Sequence, residues 1–229
     1  MRLLLVAATE LELAPLVARL TPASHPQPSE ALRAFSHRSH QVDVLTTGVG
    51  MVATATWCAR VLARQPYDFA VNLGVCGSFD PALPPGTVVN VVADCIAELG
   101  AEDGEQFLTV QQLGLLGPNE PPFRGGMLVN PGAKSNHVIA SLPAATGITV
   151  NTVHGNELSI ARVVERFHRP VVETMEGAAF MFASLVSGVR FAQVRAVSNM
   201  VEKRNRAAWK LEEAVAALAD AGLRLIEQG

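Results

Sequence analysis

Charge is what this sequence has least of. Charged residues fill 17% of its 229 positions, against a usual share of about 25%, while 49% are apolar. A chain so short of charge implies fully buried elements, a buried subunit interface, or both. It also lacks a surplus of one sign: the net charge is −3, with acids and arginines interspersed and no charged tail. Nucleic acid and anionic membranes call for clustered Lys and Arg. Neither is expected as a partner.

Cysteine is scarce as well. Cys58, Cys76 and Cys95 are widely spaced, with no C-x-x-C pair and no Cys/His cluster. Neither a disulfide framework nor a zinc site follows from that pattern, so no metal is expected, and reduced thiols in the cytoplasm are. Long hydrophobic runs are missing too. The N-terminal M-R-L-L-L-V-A-A-T-E has an apolar run of about six residues, too short for a signal-peptide core or a membrane span. The nearly uncharged stretch 136–156 is interrupted by Pro143, two glycines and polar residues. The chain reads as soluble.

What is present is an alternation of apolar runs and helical periods. Strands are expected over 2–7, 42–46, 69–73, 87–93, 148–153, 171–173 and 191–197. Helices are expected over 10–20, 52–64, 157–167, 177–187 and 207–226, from apolar spacings of three and four. Residues 21–30 read as a loop. So does 98–126, a long Gly- and Pro-rich excursion of the kind that is more often functional than idle. The expected fold is α/β: a single domain over 1–229 with a mixed, mostly parallel central sheet flanked by helices. Ligands in such sheets bind beyond the carboxyl ends of the strands. That places the candidate site on 9–12, 48–52, 74–78, 153–156, 174–177 and 198–200.

Several of these segments carry unusual residues. T-T-G-V-G-M-V-A, with Gly48 and Gly50, fits a dinucleotide pattern, but no acid ends the next strand, where Asn72 stands. Small residues that let backbone approach a ligand, or simply a tight strand-to-helix turn, fit better. Glu10 and Glu12 follow the first strand. Either could decorate a helix start; Glu12 also suits a general base holding a water. Arg195 lies in an apolar strand and needs a partner, because an unpaired buried charge is costly. Glu12, Glu173 and Glu176 are the acids available, and a structural ion pair is the plain alternative. Asn199 has an amide that can donate to one atom and accept from its neighbour, which matches a purine edge offering a 6-oxo group and a protonated N7. His154 is either a pocket residue or a satisfied loop histidine. His25, His37, His40, His137 and His168 read as surface, Cys76 as a small buried residue, and E-K-R-N-R at 202–206 as a solvated face.

A-A-T-E-L-E, T-G-V-G, N-L-G-V-C-G, E-T-M-E-G-A and R-A-V-S-N together resemble the purine nucleoside phosphorylase and methylthioadenosine nucleosidase superfamily. They span nearly the whole chain in order. N-T-V-H-G-N-E and the text after R-A-V-S-N look most like a branch that hydrolyses a nucleoside bearing a 5′ carboxyphenyl-ketone group, in menaquinone synthesis. The resemblance implies that Glu176 binds the ribose hydroxyls, Met175 packs on the sugar, Glu12 activates water and Arg195 orients water or ribose. It implies that Asn199 holds purine N7 and the 6-substituent, where related methylthioadenosine nucleosidases carry Asp, so a 6-oxopurine is favoured over adenine. Gly48, Gly74, Val75, Val153 and Ser198 would line the substrate.

Phosphorylases of the superfamily place Arg and Ser where this chain has Asn72 and Val75, so water rather than phosphate is the implied nucleophile. Thr47 or a backbone group would then supply the water's second contact. No cofactor is implied. A homo-oligomer is, with 98–126 near a subunit interface and Phe107, Phe123 and Arg124 as candidates for the 5′ carboxylate. Glu173 is read as orienting Arg195 or a loop, or as plain helix-edge chemistry.

Overall fold

The computed structural model describes residues 1–23, 31–132, 136–167 and 171–228. In chain order, β1 (Arg2–Ala7) leads into α1 (Glu10–Val17), followed by β2 (Thr21–Pro22), β3 (Leu32–His37), β4 (His40–Thr46) and α2 (Met51–Leu62). Next come β5 (Phe69–Ser78), β6 (Val88–Asp94), β7 (Gly100–Asp103), β8 (Gln106–Thr109), β9 (Phe123–Arg124) and β10 (Met127–Val129). The chain continues through α3 (His137–Ser141), β11 (Ala144–Thr149), α4 (Glu157–Arg166), β12 (Val172–Thr174), α5 (Gly177–Ser187), β13 (Phe191–Met200) and α6 (Leu211–Gln228).

The main sheet runs β2-β3-β4-β1-β5-β12-β11-β6-β10-β9, and β13 pairs with both β5 and β6. That double pairing closes β5, β12, β11, β6 and β13 into a ring. The pairs β4·β1, β1·β5 and β5·β13 are parallel, while β12·β5 and β13·β6 are antiparallel. Both faces of the sheet are buried, which is why β1 reads as an unbroken apolar run. Along it Leu3, Leu5 and Ala7 join the cluster under α1, α3 and α6, while Leu4 and Val6 join the one under α2 and α5. The mixed sheet flanked by helices is the architecture expected. Among the described residues no helix is long and apolar enough to cross a membrane.

The elements differ from expectation where pairing is non-local. Residues 74–78 are not a loop after β5 but its second half. Past Asn72 the strand leaves β1, keeps β13 as neighbour and takes up β12 at Gly77 and Ser78. Ser198, Asn199 and Met200 likewise belong to β13, with a register break between Val197 and Asn199. The expected strand over 148–153 lies earlier, as β11, and 150–153 are outside it. The terminal helix starts at Leu211, after a single 3₁₀ turn at Arg206–Ala208. The 98–126 excursion contains the β7–β8 hairpin and β9, and Thr21–Pro22 pairs with β3 rather than starting a loop. The rest of that expected loop, 24–30 with His25, and also His168, lie outside the described residues.

Candidate active site

The site is built on β5. Gly74 has no side chain, and two charged groups occupy the space above it. A Cβ there would stand 1.9 Å from Arg195 Nη1 and 3.0 Å from Glu12 Oε1. Arg195 is 1% exposed, and its Nη2 donates to Asn72 Oδ1. The Asn72 amide is itself aimed by donation from Nδ2 to the Val6 carbonyl at 3.0 Å. Asn72, read from sequence only as the absence of a phosphate-binding cation, is therefore the hydrogen-bond partner of the buried arginine.

Glu12 is the third residue of α1, where the unpaired N–H groups of the first turn favour a carboxylate. Its Oε2 accepts from Thr9 N and Thr9 Oγ1, each at 3.0 Å, and its Oε1 accepts from Val75 N at 3.1 Å. It is 6% exposed. It caps the helix start and its Oε1 faces Gly74. Glu10 is the surface decoration, 3.7 Å from Arg33.

Glu176 enters from the other side, as the residue just before α5. Its Oε1 accepts from Gly50 N at 2.9 Å. Gly50 sits at φ +95°, a conformation other residues rarely adopt, so glycine suits the turn that presents that N–H. Burial pushes the Glu176 carboxyl up from its ordinary value. The Arg195 charge and the Gly50 N–H pull it back, and Glu12 raises it further by like-charge repulsion. Glu12, Arg195 and Glu176 thus form one electrostatic unit. Met175, half-buried, precedes Glu176, and Gly48 lies in the facing turn. The Thr47 hydroxyl is engaged with Gly48 O at 2.8 Å and with Thr54 Oγ1 at 3.1 Å. Its work is to hold that turn.

Beyond this unit a cleft opens between β5, β13 and the loops after β11 and β13, with Gly77, Val153, His154, Glu173 and Asn199 in its walls. The register breaks between Val197 and Asn199, and a break of this kind re-aims a side chain at a strand end. Ser198 Oγ lies 2.8 Å from Asn199 Oδ1, and Asn199 Nδ2 donates to Met200 O at 2.9 Å. The amide is thereby oriented, with one N–H and one lone pair still unused. Glu173 accepts the His154 N–H at 2.9 Å and contacts His154 Nδ1. The loop half of its expected role is observed; its hydrogen-bond partner is His154 rather than Arg195. Glu202, Arg204, Asn205 and Trp209 also line the cleft, so the 202–206 run is more than a solvated face.

Phe123 is buried against Phe182, their ring centres 5.9 Å apart, and Phe107 lies under the Arg166 guanidinium at 3.8 Å. The Cys76 thiol is pushed up to about 12 by burial, which makes it inert. A further cavity is lined mainly by aliphatic residues such as Leu3, Leu5, Leu73 and Leu225, with Asn136 and Arg190 as its polar side chains.

The chain is 35% identical over 229 residues to the futalosine hydrolase of Streptomyces coelicolor, covering 96% of this chain and 93% of that protein. Its fold superimposes on a Streptococcus pneumoniae 5′-methylthioadenosine/S-adenosylhomocysteine nucleosidase in complex with 8-aminoadenine, with a TM-score of 0.84, 19% identity and full coverage of both chains. It superimposes also on the native futalosine hydrolase of Helicobacter pylori, with a TM-score of 0.83, 13% identity and coverage of 100% and 98%. The model of the phosphorylase superfamily matches residues 2–227, and the chain belongs to that superfamily.

Proposed function

We propose that this protein, as one domain over 1–229, hydrolyses the N-glycosidic bond of futalosine in menaquinone biosynthesis, releasing hypoxanthine and the free sugar product. The observation that carries the reading is the convergence of Glu12, Arg195 and Glu176 around the side-chain-free Gly74, beside a cleft that holds Asn199. The 35% identity to a futalosine hydrolase along almost the whole chain supports the substrate.

In this reading Glu176 accepts hydrogen bonds from the 2′ and 3′ hydroxyls and Met175 covers the sugar face. The C1′–N9 bond breaks as its electron pair passes to the purine, leaving an oxocarbenium-like sugar flanked by the Glu176 charge. Glu12 takes a proton from the water that adds to C1′; a positioned base of this kind contributes roughly 10²–10⁴-fold. Arg195, held by Asn72, orients the water or the ribose. Asn199 stabilises the departing base at N7 and O6, and the purine takes up its proton from solvent through the cleft. Asn72 and Val75 in place of a cation and a serine support water over phosphate as nucleophile.

A homo-oligomer is part of the proposal. Val52 on α2 and Val186 on α5 are 81% and 66% exposed, and Leu115 in the 98–126 excursion is 75% exposed. An apolar face of this kind is what a subunit interface covers. Three free thiols without a disulfide support a cytoplasmic location.

The test is base release from futalosine, its 6-amino analogue, inosine and 5′-methylthioadenosine, each with and without phosphate. Fastest release of hypoxanthine from futalosine, unchanged by phosphate, is expected. Release that requires phosphate, or that is confined to methylthioadenosine, overturns the reading.

A further inference from the structure

Helix α5 starts without help from the side chain that leads into it. A residue just before a helix ordinarily turns its side chain onto the second or third N–H of that helix. Glu176 makes no such bond; its carboxylate goes to Gly50 N at 2.9 Å. Two threonines do the capping. Thr149 on β11 and Thr174 on β12 are register partners, so their side chains stand on one face of the sheet. Gly177 N donates to Thr174 Oγ1 at 3.1 Å, and Ala178 N donates to Thr149 Oγ1 at 2.7 Å. Both threonines are buried.

Asp94 sets the direction of these bonds. Thr149 Oγ1 donates its single proton to Asp94 Oδ1 at 2.9 Å. In the contact between the two hydroxyls, at 3.1 Å, Thr174 is therefore the donor. Both lone pairs of Thr149 are then taken, by Ala178 N and by Thr174. Asp94 is held on its other oxygen by Gln193 Nε2 at 3.0 Å. The helix start comes down directly onto this pair: a Cβ on Gly177 would stand 2.3 Å from Asp94 Oδ2 and 2.2 Å from Gln193 Nε2. We propose that Thr149 and Thr174, ordered by Asp94, are positioning residues that cap α5 in place of Glu176 and so leave its carboxylate free for the ribose hydroxyls. Without the Thr149 hydroxyl, the Ala178 N–H is an unpaired buried donor at the second helical position, where the side chain of a leading residue docks. Glu176 is then drawn onto it, away from Gly50 and from the sugar.

This inference rests on Glu176 being the ribose ligand, and the experiment separates the two. The first readout is the ratio of kcat/KM for futalosine to that for 2′-deoxyfutalosine. The intrinsic lability of the deoxy compound cancels when proteins are compared. Thr149→Val keeps the shape of the side chain and loses the hydroxyl. Its ratio is expected to fall by about 10–100-fold, the worth of a hydrogen bond to a charged group. Thr149→Ser restores the hydroxyl and should bring the ratio back near the wild-type value. A purely structural role would lower activity on both substrates alike. The second readout is the urea midpoint of Glu176→Ala. A side chain that is not the cap can be removed without loosening the helix, so this midpoint is expected to equal or exceed that of the wild type. An unchanged ratio in a folded Thr149→Val protein, or a Glu176→Ala midpoint below that of the wild type, overturns the inference. If Thr149→Val fails to fold, the Glu176→Ala midpoint alone decides. A wild type with no preference for futalosine over its 2′-deoxy analogue overturns Glu176 as the ribose ligand, and the midpoint still decides which residues cap α5.

Discussion

Glu12 accepts the backbone N–H of Val75 at 3.1 Å while its other oxygen accepts from Thr9. One carboxylate thus ties the first turn of α1 to the second half of β5, and it does so beside the Arg195 guanidinium above Gly74. Its structural and chemical roles can be separated by substitution. Glu12→Gln keeps an acceptor for Val75 or Thr9 but cannot take a proton from water. The expected result is a fall in kcat of roughly 10²–10⁴-fold, with KM little changed. Glu12→Ala removes the acceptors as well and should in addition lose about 1 kcal/mol of stability. Steady-state hypoxanthine release and urea denaturation of both variants check this; a fully active Glu12→Gln would end the assignment of Glu12 as base.

Gly74→Ala tests the same site from below. The new methyl would stand 1.9 Å from Arg195 Nη1, and the arginine is fully buried with its Nη2 on Asn72. It has no free direction in which to yield. A loss of at least roughly 10²-fold in kcat/KM is expected, with destabilisation of about 1–3 kcal/mol from overpacking. A crystal structure of the variant should show the guanidinium displaced from Asn72. Near-normal activity would mean that the position of Arg195 does not matter to the reaction.

How much of this was legible in the sequence depends on how local each cause is. The G-V-G turn, the small-residue start of α5 and the acids Glu12 and Glu176 announce themselves within a few residues. They were readable. The partner of Arg195 is Asn72, 123 positions away, and no periodicity points to it. Residues 74–78 look like a turn because Gly, Cys and Ser are weak strand formers; they are held in β5 by β12 and β13, whose pairing is a property of the ring closure. Glu173 and Asn199 flank Gly77 for the same reason. The 202–206 run is exposed, as its charge implies, yet it lines the cleft because the loop folds back onto Gly155, whose carbonyl accepts from Arg204 N at 3.1 Å.

The apolar exposures predict an assembly that one charge should break. Val52 is 81% exposed on α2, a helix that packs along α5, where Val186 is also exposed. Val52→Glu adds a charge that solvent accommodates in a monomer and that an interface does not. Light scattering is expected to show an oligomer for the wild type and a smaller species for the variant. A wild type that is monomeric at micromolar concentration would refute the interface.

Asp94 gives a prediction with a sign. It is wholly buried under the start of α5, where it accepts from Gln193 Nε2 at 3.0 Å and from Thr149 Oγ1 at 2.9 Å. The same Thr149 hydroxyl accepts from Ala178 N at 2.7 Å, so this network seats the helix that carries Glu176. Burial pushes the Asp94 carboxyl up to about 6, against 3.8 in the absence of the fold. Between those two values the folded state binds more protons than the unfolded state. Stability contributed by this group is therefore full below about pH 4 and falls as pH rises through 6. The loss is on the order of 3 kcal/mol.

Asp94→Asn removes the titration, and its new N–H₂ group has an acceptor at hand if the Gln193 amide turns, since Gln193 Oε1 lacks a partner among the described residues. The variant should therefore gain on the wild type from about pH 4 to about pH 6 and keep that gain above it. Urea denaturation of both proteins at pH 4.5 and 7.5 measures that difference, which cancels the titration of every other group. A difference that does not grow with pH would mean that Asp94 is ionised in the folded protein across the whole range.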